Sequence, residues 1–323
     1  MLRSSVIAFS CLFAFLATGF SGTPARAESD FKVTLLGTSS PSPRPDRMGP
    51  STLVEAGGQR LLFDAGRGVP IRLWQLRVPM GTINALFITH YHSDHVSGIP
   101  DLWLTGWLPP PYGRRKTPFH VVGPTGARAL MDNLDKAYAL DKSIRLEDEK
   151  LPSEGIAIKV DEFDKGGVVY DVDGVKVIAF EVDHGEAIKP AYGYRIEYGG
   201  HAVTISGDTR LNQNVIKYGT GADLLIHEVA MARPELMSNP AVQRIIGHHT
   251  TPQEAGTVFT EAKPKLGVYT HIVRLSNAKV PEPTLDDLVK ETRRTYSGPL
   301  EVGDDLMRFE IGGDTVKVTR FKP

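Results

Sequence analysis

Cysteine is nearly absent from this chain of 323 residues, because Cys11 is the only one. A single cysteine cannot form a disulfide within the chain, and it lies in an apolar N-terminal segment. Zinc fingers and other thiolate sites need several cysteines, so the composition excludes them. Any metal site in the body of the protein must therefore be built from histidine, aspartate and glutamate.

An excess of charge is also lacking. The 37 basic and 38 acidic residues leave a formal net charge of −1. The chain therefore has no overall basic character of the kind that drives non-specific nucleic-acid binding. No stable nucleic-acid partner is expected, although a local basic groove is compatible with this balance. No long low-complexity linker and no short-period repeat divides the chain.

Long apolar runs are absent except near the N-terminus. Arg3 is followed by a mostly apolar stretch over residues 6–20 and then by Ala25-Arg26-Ala27. This order is typical of a secretory signal peptide, and the stretch is shorter than the roughly 20 residues of a membrane span. We predict cleavage between Ala27 and Glu28, a secreted or periplasmic protein without a membrane anchor, and a single domain over residues 28–323.

The body of the chain carries more strand patterns than helix patterns. Short apolar or alternating segments predict strands at residues 31–36, 51–55, 59–63, 83–89, 168–172, 175–182, 191–198, 202–206, 224–229, 266–270, 302–311 and 315–321. Helical spacing predicts helices at residues 69–76, 125–139, 212–218 and 251–261, the last with a capping box between Thr251 and Glu254. Two packed sheets covered by helices are therefore expected.

A cluster of histidines follows the apolar segment 83–89, in the run His90-Tyr91-His92-Ser93-Asp94-His95. On an extended backbone, residues i and i+2 point to the same side, so His90 and His92 can converge on one cation. Asp94 and His95 follow at a turn and can face a second cation. Four candidate ligands within six residues favour a metal site over a polar loop with incidental histidines.

Such a site needs further ligands, and polar residues at later strand ends can supply them. His184, Asp208 and His271 each follow a predicted strand. Ligands placed at strand ends rest on a rigid scaffold. The remaining histidines lack this placement: we expect His120, His201 and His227 to be structural or exposed, and His248 has no assigned role.

The segment Thr89-His90-x-His92-x-Asp94-His95 resembles the signature of the metallo-β-lactamase superfamily. The later residues His184, Ser206-Gly207-Asp208-Thr209 and His271 are similar to that family's later motifs in order and spacing. The resemblance covers essentially the whole chain after the signal segment. It implies an α/β fold, a four-layer αββα sandwich with the metals at one edge between the two sheets.

The resemblance also implies ligand roles. One metal ion would be held by His90, His92 and His184, and a second by Asp94, His95 and His271, with Asp208 between them. Such a ligand set suits two divalent ions, zinc best, with manganese or iron as alternatives. Two cations about 3.5–4 Å apart can share a hydroxide that acts as the nucleophile, and the resemblance gives Asp94 a further role in orienting it.

Three segments are similar to the ribonuclease Z group of this superfamily: the opening Leu36-Gly37-Thr38-Ser39-Ser40, His227-Glu228-Val229-Ala230, and His249-Thr250-Thr251. The resemblance implies that Glu228 orients His249. It also implies that His249 acts as general acid or stabilises charge on the phosphoryl group. Asp64 is interpreted as a partner that orients a ligand histidine.

The ribonuclease Z group carries a tRNA-clamping arm between the residues that match His184 and Asp208. These residues are only 24 positions apart here, which leaves no room for an arm. We therefore expect a hydrolase of phosphodiester or sulfate-ester bonds in small anionic molecules. The alternatives left open are a nuclease for short single-stranded nucleic acid, a lactone or carboxylic-ester hydrolase, and an inactive metal-binding scaffold.

Substrate contacts are predicted in the segment 102–118, which contains Trp103, Trp107 and Tyr112 and ends in a basic stretch. An apolar wall with a basic end would suit an aryl phosphate or aryl sulfate. A proline-stiffened loop and a dimer contact are the other interpretations of this segment, and a homodimer is left open. Tyr192 and Ser39 are weaker candidates for contact with the substrate.

Overall fold

The computed structural model describes residues 30–321, so the predicted signal segment and its cleavage site lie outside the described residues. The first sheet has eight strands. In spatial order they are β15 (Lys317–Arg320), β14 (Met307–Ile311), β1 (Phe31–Gly37), β2 (Ser51–Ala56), β3 (Gln59–Phe63), β4 (Ala85–Phe87), β5 (Phe119–Pro124) and β6 (Ile158–Phe163).

The second sheet has seven strands. In spatial order they are β13 (Leu300–Val302), β12 (Leu266–Leu275), β11 (Leu224–Ala232), β10 (His201–Ile205), β9 (Tyr192–Tyr198), β8 (Val175–Glu181) and β7 (Gly167–Val172). Both sheets are mixed. Strands β3 to β6 are parallel, as are β10 to β13, so their carboxyl ends meet at common sheet edges, where ligand sites tend to form.

The helices of the described residues lie between these strands. They are α1 (Val69–Gln75), α2 (Ser93–Val96), α3 (Ile99–Trp107), α4 (Ala127–Ala137), α5 (Ala139–Glu147), α6 (Ser153–Ile156), α7 (Gln213–Gly219), α8 (Pro240–Ile246), α9 (Pro252–Ala262) and α10 (Leu285–Thr292). Helix α9 begins with the predicted capping box, since Thr251 and Glu254 each bond the other's backbone. None of these helices has the length and apolar character required to cross a membrane.

Three hydrophobic layers hold the elements together. Side chains alternate across a strand, so Leu61 and Phe63 of β3 point into the layer between the sheets, while Leu62 points outward. The outer face of the first sheet packs against α1, α3 and α4, and that of the second sheet against α7, α9 and α10. The predicted four-layer αββα sandwich is confirmed.

The chain crosses between the sheets where one long strand was predicted over residues 302–311. Residues Leu300–Val302 form β13 in the second sheet, and Met307–Ile311 form β14 in the first. Leu306 has a φ of 65°, a conformation that interrupts a strand. The pattern of the sequence also missed β5 and β6, and it extended β4 beyond its three residues.

The predicted substrate contact of Trp103 and Trp107 is wrong. Both lie on α3, both have 0% exposed surface, and both pack in the outer layer of the first sheet. Their indole N–H groups donate to the carbonyls of Ile156 and Pro152, at 3.0 and 2.8 Å. The segment that the sequence presents as a pocket wall is therefore mainly a core helix.

Truncating the buried indole should destabilise the protein without a direct effect on chemistry. We expect Trp103→Ala to lower the free energy of unfolding by about 3–5 kcal/mol, because it creates a cavity in the core. Trp74→Ala is the matched control, since Trp74 is 52% exposed. Urea titration measures both. A fully stable Trp103→Ala protein with weakened substrate binding would restore the original prediction.

Candidate metal centre

The histidine run follows β4 at the edge of the first sheet. His90 lies three residues after β4 ends at Phe87. His92 is an extended residue that precedes α2. His90 Nε2 and His92 Nδ1 lie 3.0 Å apart, which agrees with the prediction that the two rings converge. Asp94 and His95 lie on the short helix α2, and both are buried.

The second sheet brings three more side chains to the same place. His184 follows β8, and Asp208 follows β10 on a turn in which Gly207 has a φ of 63°. A side chain at Gly207 would approach the carbonyl oxygen of Tyr192 to 2.4 Å, so the turn requires glycine. His271 lies within β12 rather than after it, because its φ of 41° accompanies a register shift against β11 and the strand then continues.

All seven predicted metal-binding residues lie together, in two groups with Asp208 between them. The first group is His90, His92, His184 and Asp208, and the second is Asp94, His95 and His271. Within each group the candidate ligand atoms lie within 4.8 Å of one another. These side chains are buried apart from His92, which is partly exposed. The described residues therefore include His/Asp groups able to bind metal.

The carboxylate of Asp208 is the common centre of both groups. Its Oδ2 lies 3.2 Å from His271 Nε2 and 3.4 Å from His95 Nε2. The same oxygen lies 3.7 Å from His184 Nε2 and 3.9 Å from His90 Nε2. One oxygen that faces four imidazole nitrogens, with two on each side, has the geometry of a bridging ligand.

The protonation states suit metal binding. Burial lowers the pKa of His184 to about 4, and burial with the neighbouring His95 holds the pKa of His90 well below its usual value. Both rings are therefore neutral at pH 7, the form that binds a cation. Burial raises the pKa of Asp208, but the charges of His271 and His95 outweigh burial and keep it well below the ordinary value. A carboxylate among imidazoles suits divalent cations.

Asp64 orients the first-sheet ligands from behind. Its Oδ2 accepts hydrogen bonds from His95 Nδ1 at 2.7 Å and from the Thr89 hydroxyl at 2.8 Å. Its Oδ1 accepts from the Thr89 amide at 2.8 Å. The Thr89 hydroxyl is in turn 3.0 Å from His90 Nδ1. One buried carboxylate therefore fixes the ring orientation of one histidine in each group.

We expect Asp64→Asn to weaken the binding of a divalent cation by about 10–100-fold, the usual cost of losing a partner that orients a ligand histidine. Zinc titration against a competing chelator measures the change. Asp223→Asn is the matched control, because Asp223 is also a buried aspartate that contacts a histidine, His201, at 3.1 Å. Equal zinc affinity in the Asp64 and Asp223 variants would contradict the orienting role.

A second carboxylate–histidine pair adjoins the centre. His249 Nδ1 donates to Glu228 Oε1 at 3.1 Å, and the amide of Thr250 donates to the same oxygen at 3.0 Å. Burial lowers the pKa of His249, but the charge of Glu228, its hydrogen bond and Asp208 together raise it to about 9. The ring stacks 5.5 Å from that of His271. The raised pKa favours the protonated form of this imidazole, which lies beside the metal groups.

The neighbouring histidines have different surroundings. The carbonyl of His248 accepts a hydrogen bond from His184 Nδ1 at 2.8 Å, so its backbone orients a predicted ligand. His227 is buried on the opposite face of β11 against Phe259, in agreement with the expectation that it is structural. Strand alternation explains why Glu228 reaches the centre and His227 does not.

The weaker substrate candidates are placed elsewhere. Ser39 is buried and its hydroxyl donates to the carbonyl of Ser42. Tyr192 is also buried, in the layer between the sheets, and its hydroxyl donates to the carbonyl of Asp164. Contact with the substrate is therefore wrong for these two side chains, because neither has free surface. Tyr112 is partly buried and stacks on Trp74 at 5.7 Å, and its contact stays a prediction.

Residues 59–272 match the family described as Beta-lactamase superfamily domain. The matched region begins at β3 and includes all seven residues of the two groups. The chain belongs to the beta-lactamase superfamily. With its His/Asp groups able to bind metal, this superfamily member is a metal-dependent hydrolase.

A curated relative and two solved structures are similar to this beta-lactamase superfamily member. Ribonuclease Z of Mycobacterium marinum (strain ATCC BAA-535 / M) is 34% identical over 284 residues, covering 87% of this chain and 98% of the relative. The metallo-beta-lactamase fold protein YhfI from Bacillus subtilis has a TM-score of 0.65 at 21% identity, covering 87% of this chain and 99% of YhfI. The short form of human tRNase Z has a TM-score of 0.64 at 24% identity, with the same two coverages.

The similarity to the Mycobacterium marinum protein also bears on the absence of a tRNA-clamping arm. The alignment spans 284 positions, and 87% of this 323-residue chain supplies about 281 residues to it. Few positions of the alignment are therefore gaps in this chain. The Mycobacterium marinum protein therefore carries no long insertion within this alignment that our superfamily member lacks. The short interval between His184 and Asp208 therefore does not set this chain apart from that relative.

Proposed function

We propose that this hydrolase cleaves phosphodiester bonds and that RNA is its substrate class. The observation that carries the proposal is the buried His249–Glu228 pair beside two metal-binding groups. A protonated imidazole in that position suits a reaction in which an alkoxide leaves from phosphorus. The names of the ribonuclease Z relatives support the nuclease alternative over the small anionic esters that we favoured from the sequence.

The residues present fit two divalent cations. We assign His90, His92 and His184 to one cation and Asp94, His95 and His271 to the other, with Asp208 between them. The buried His95 Nε2 has no hydrogen-bond partner among the described residues, as a ligand atom held ready for a cation would. We propose zinc as the metal because its preferences match a His/Asp set.

The side chains divide the work of the reaction. Two cations held by these residues would activate water and neutralise charge on the phosphoryl oxygens. His249 donates its proton to the leaving oxygen, and Glu228 keeps the ring protonated and aimed through the contact at Nδ1. Asp94, whose Oδ2 lies 3.2 Å from His271 Nε2, orients the attacking water. These roles follow the ones that the resemblance assigned.

Small organic phosphodiesters or sulfate esters are the second candidate substrates. The predicted signal segment supports them, because a secreted or periplasmic enzyme does not meet precursor tRNA. Export and a homodimer both stay part of this proposal.

A substrate panel on zinc-loaded protein tests the proposal. It contains short single-stranded RNA, a bis-aryl phosphate, an aryl sulfate, an aryl acetate and a lactone. We expect turnover of RNA and of the bis-aryl phosphate. Cleavage of the bis-aryl phosphate without RNA would select the second candidate. Activity restricted to the acetate or the lactone would reject phosphodiester chemistry altogether.

A further inference from the structure

A small cavity adjoins the metal centre between the two sheets. Its volume is about 20 Å³, which is room for a single water molecule. Strands of both sheets contribute to its lining, and the polar side chains there include the proposed ligands His95, Asp208 and His271 together with Thr52, Asp64 and Glu228. A dry cavity is normally lined by apolar groups, so this lining favours a polar occupant.

Apart from the ligand atom His95 Nε2, two buried atoms on this lining lack a hydrogen-bond partner within residues 30–321. They are His271 Nδ1 and Glu228 Oε2, and their residues are only 2% and 1% exposed. A ring nitrogen that carries a proton and a carboxylate oxygen are complementary. Leaving a buried polar atom unsatisfied costs about 1–3 kcal/mol, so a partner for each of the two atoms is favoured.

The other ligand histidines that present Nε2 have a partner at Nδ1. His90 contacts the Thr89 hydroxyl, His95 donates to Asp64, and His184 donates to a backbone carbonyl. Histidines that bind metals almost always have such a partner, which fixes the ring and raises its basicity. Among the described residues, His271 lacks one, and the cavity lies where a partner is needed.

We propose that this cavity binds one ordered water molecule that connects Glu228 to His271. The water accepts a hydrogen bond from His271 Nδ1 and donates one to Glu228 Oε2, with the Thr52 hydroxyl as its third partner. The strands support this arrangement, because Glu228 pairs with Thr270 in the β11–β12 register. The φ of 41° at His271 then sets the direction of its side chain.

Glu228 consequently acts on two parts of the centre. Its Oε1 holds His249 directly, and its Oε2 holds His271 through the water. Glu228 and Thr52 are thus positioning residues for a cation site. The inference rests on the proposed metal-dependent function, since His271 needs a partner at Nδ1 when Nε2 binds a cation.

The first test is the zinc affinity of Thr52→Val in the full chain, which removes a hydroxyl and keeps the shape. We expect the affinity for one of two zinc ions to fall by about 10–100-fold. Thr204→Val is the matched control, because Thr204 is a buried strand threonine whose hydroxyl donates to the Tyr218 carbonyl instead. Unchanged zinc affinity in Thr52→Val would overturn the inference.

The second test is a crystal structure of the zinc-loaded protein. We expect one water within about 2.7–3.2 Å of both His271 Nδ1 and Glu228 Oε2. A cavity without water, or a direct bond between the two side chains, would overturn the inference and leave the proposed function standing. If the unaltered chain binds no zinc at all, the proposed function itself fails, and the inference fails with it.

Discussion

Replacing Asp208 with asparagine should remove at least one cation and lower kcat/KM by about 10³-fold or more. The physical reason is the position of its Oδ2, which faces imidazole nitrogens of both groups at 3.2–3.9 Å. The loss of one metal ion forfeits several kcal/mol of transition-state stabilisation, and each 1.36 kcal/mol is a factor of ten in rate. Metal content per chain and steady-state kinetics on a bis-aryl phosphate measure the two effects.

Asp183→Asn is the matched control for this substitution. Asp183 precedes His184 in the chain but is partly exposed and forms an ion pair with Arg210 at 2.7 Å. Its replacement should leave both cations bound and turnover within a few fold of the original. Two cations retained in Asp208→Asn with full activity would refute the bridging assignment.

Replacing His249 with alanine should lower phosphodiester turnover by about 10²–10⁴-fold, the usual range for loss of a general acid. The loss should be smallest for a substrate with an activated aryl leaving group, because a stable phenolate leaves without a proton. His249 also lies in a third candidate metal-binding group with Asp208 and His271. Metal content is therefore measured alongside kcat. Loss of a cation with no dependence on the leaving group would assign His249 as a ligand instead.

The pH profile gives a separate test of His249. Burial lowers its pKa, but Glu228 and Asp208 outweigh burial and raise it to about 9. The ring is protonated below that pKa and loses its proton above it, so the rate contribution should be present at neutral pH and decline as the pH rises through about 9. This alkaline decline should disappear in His249→Ala. An unchanged alkaline decline would assign it to another group.

The metal groups could be predicted from the sequence for a specific reason. His90, His92, Asp94 and His95 lie within six residues, so local geometry alone brings them together. His184, Asp208 and His271 are distant in the chain, but each follows or interrupts an apolar strand, and parallel strands bring their carboxyl ends to one edge. Polar residues at the ends of buried strands can be recognised in a sequence without knowledge of the tertiary fold.

The pocket wall could not be predicted in the same way. Trp103 and Trp107 follow the histidine run closely, but a tryptophan near a motif packs into the core as readily as it faces a substrate. Whether the two side chains are buried depends on which face of α3 meets the first sheet. Long-range packing determines that face, together with the hydrogen bonds to the carbonyls of residues 152 and 156. The register shift at His271 could not be predicted either, because it arises from pairing between strands.

The two sheets reach the centre from opposite sides. His90 to His95 follow a strand of the first sheet, whereas His184, Asp208 and His271 belong to the second. Cations shared between them would act as a non-covalent cross-link between the halves of a sandwich whose described residues contain no cysteine. Ligands that bind only the folded state stabilise it by mass action, by about 2.7 kcal/mol at a hundred times Kd. The metal supply would then govern how long the folded protein persists as well as how fast it works.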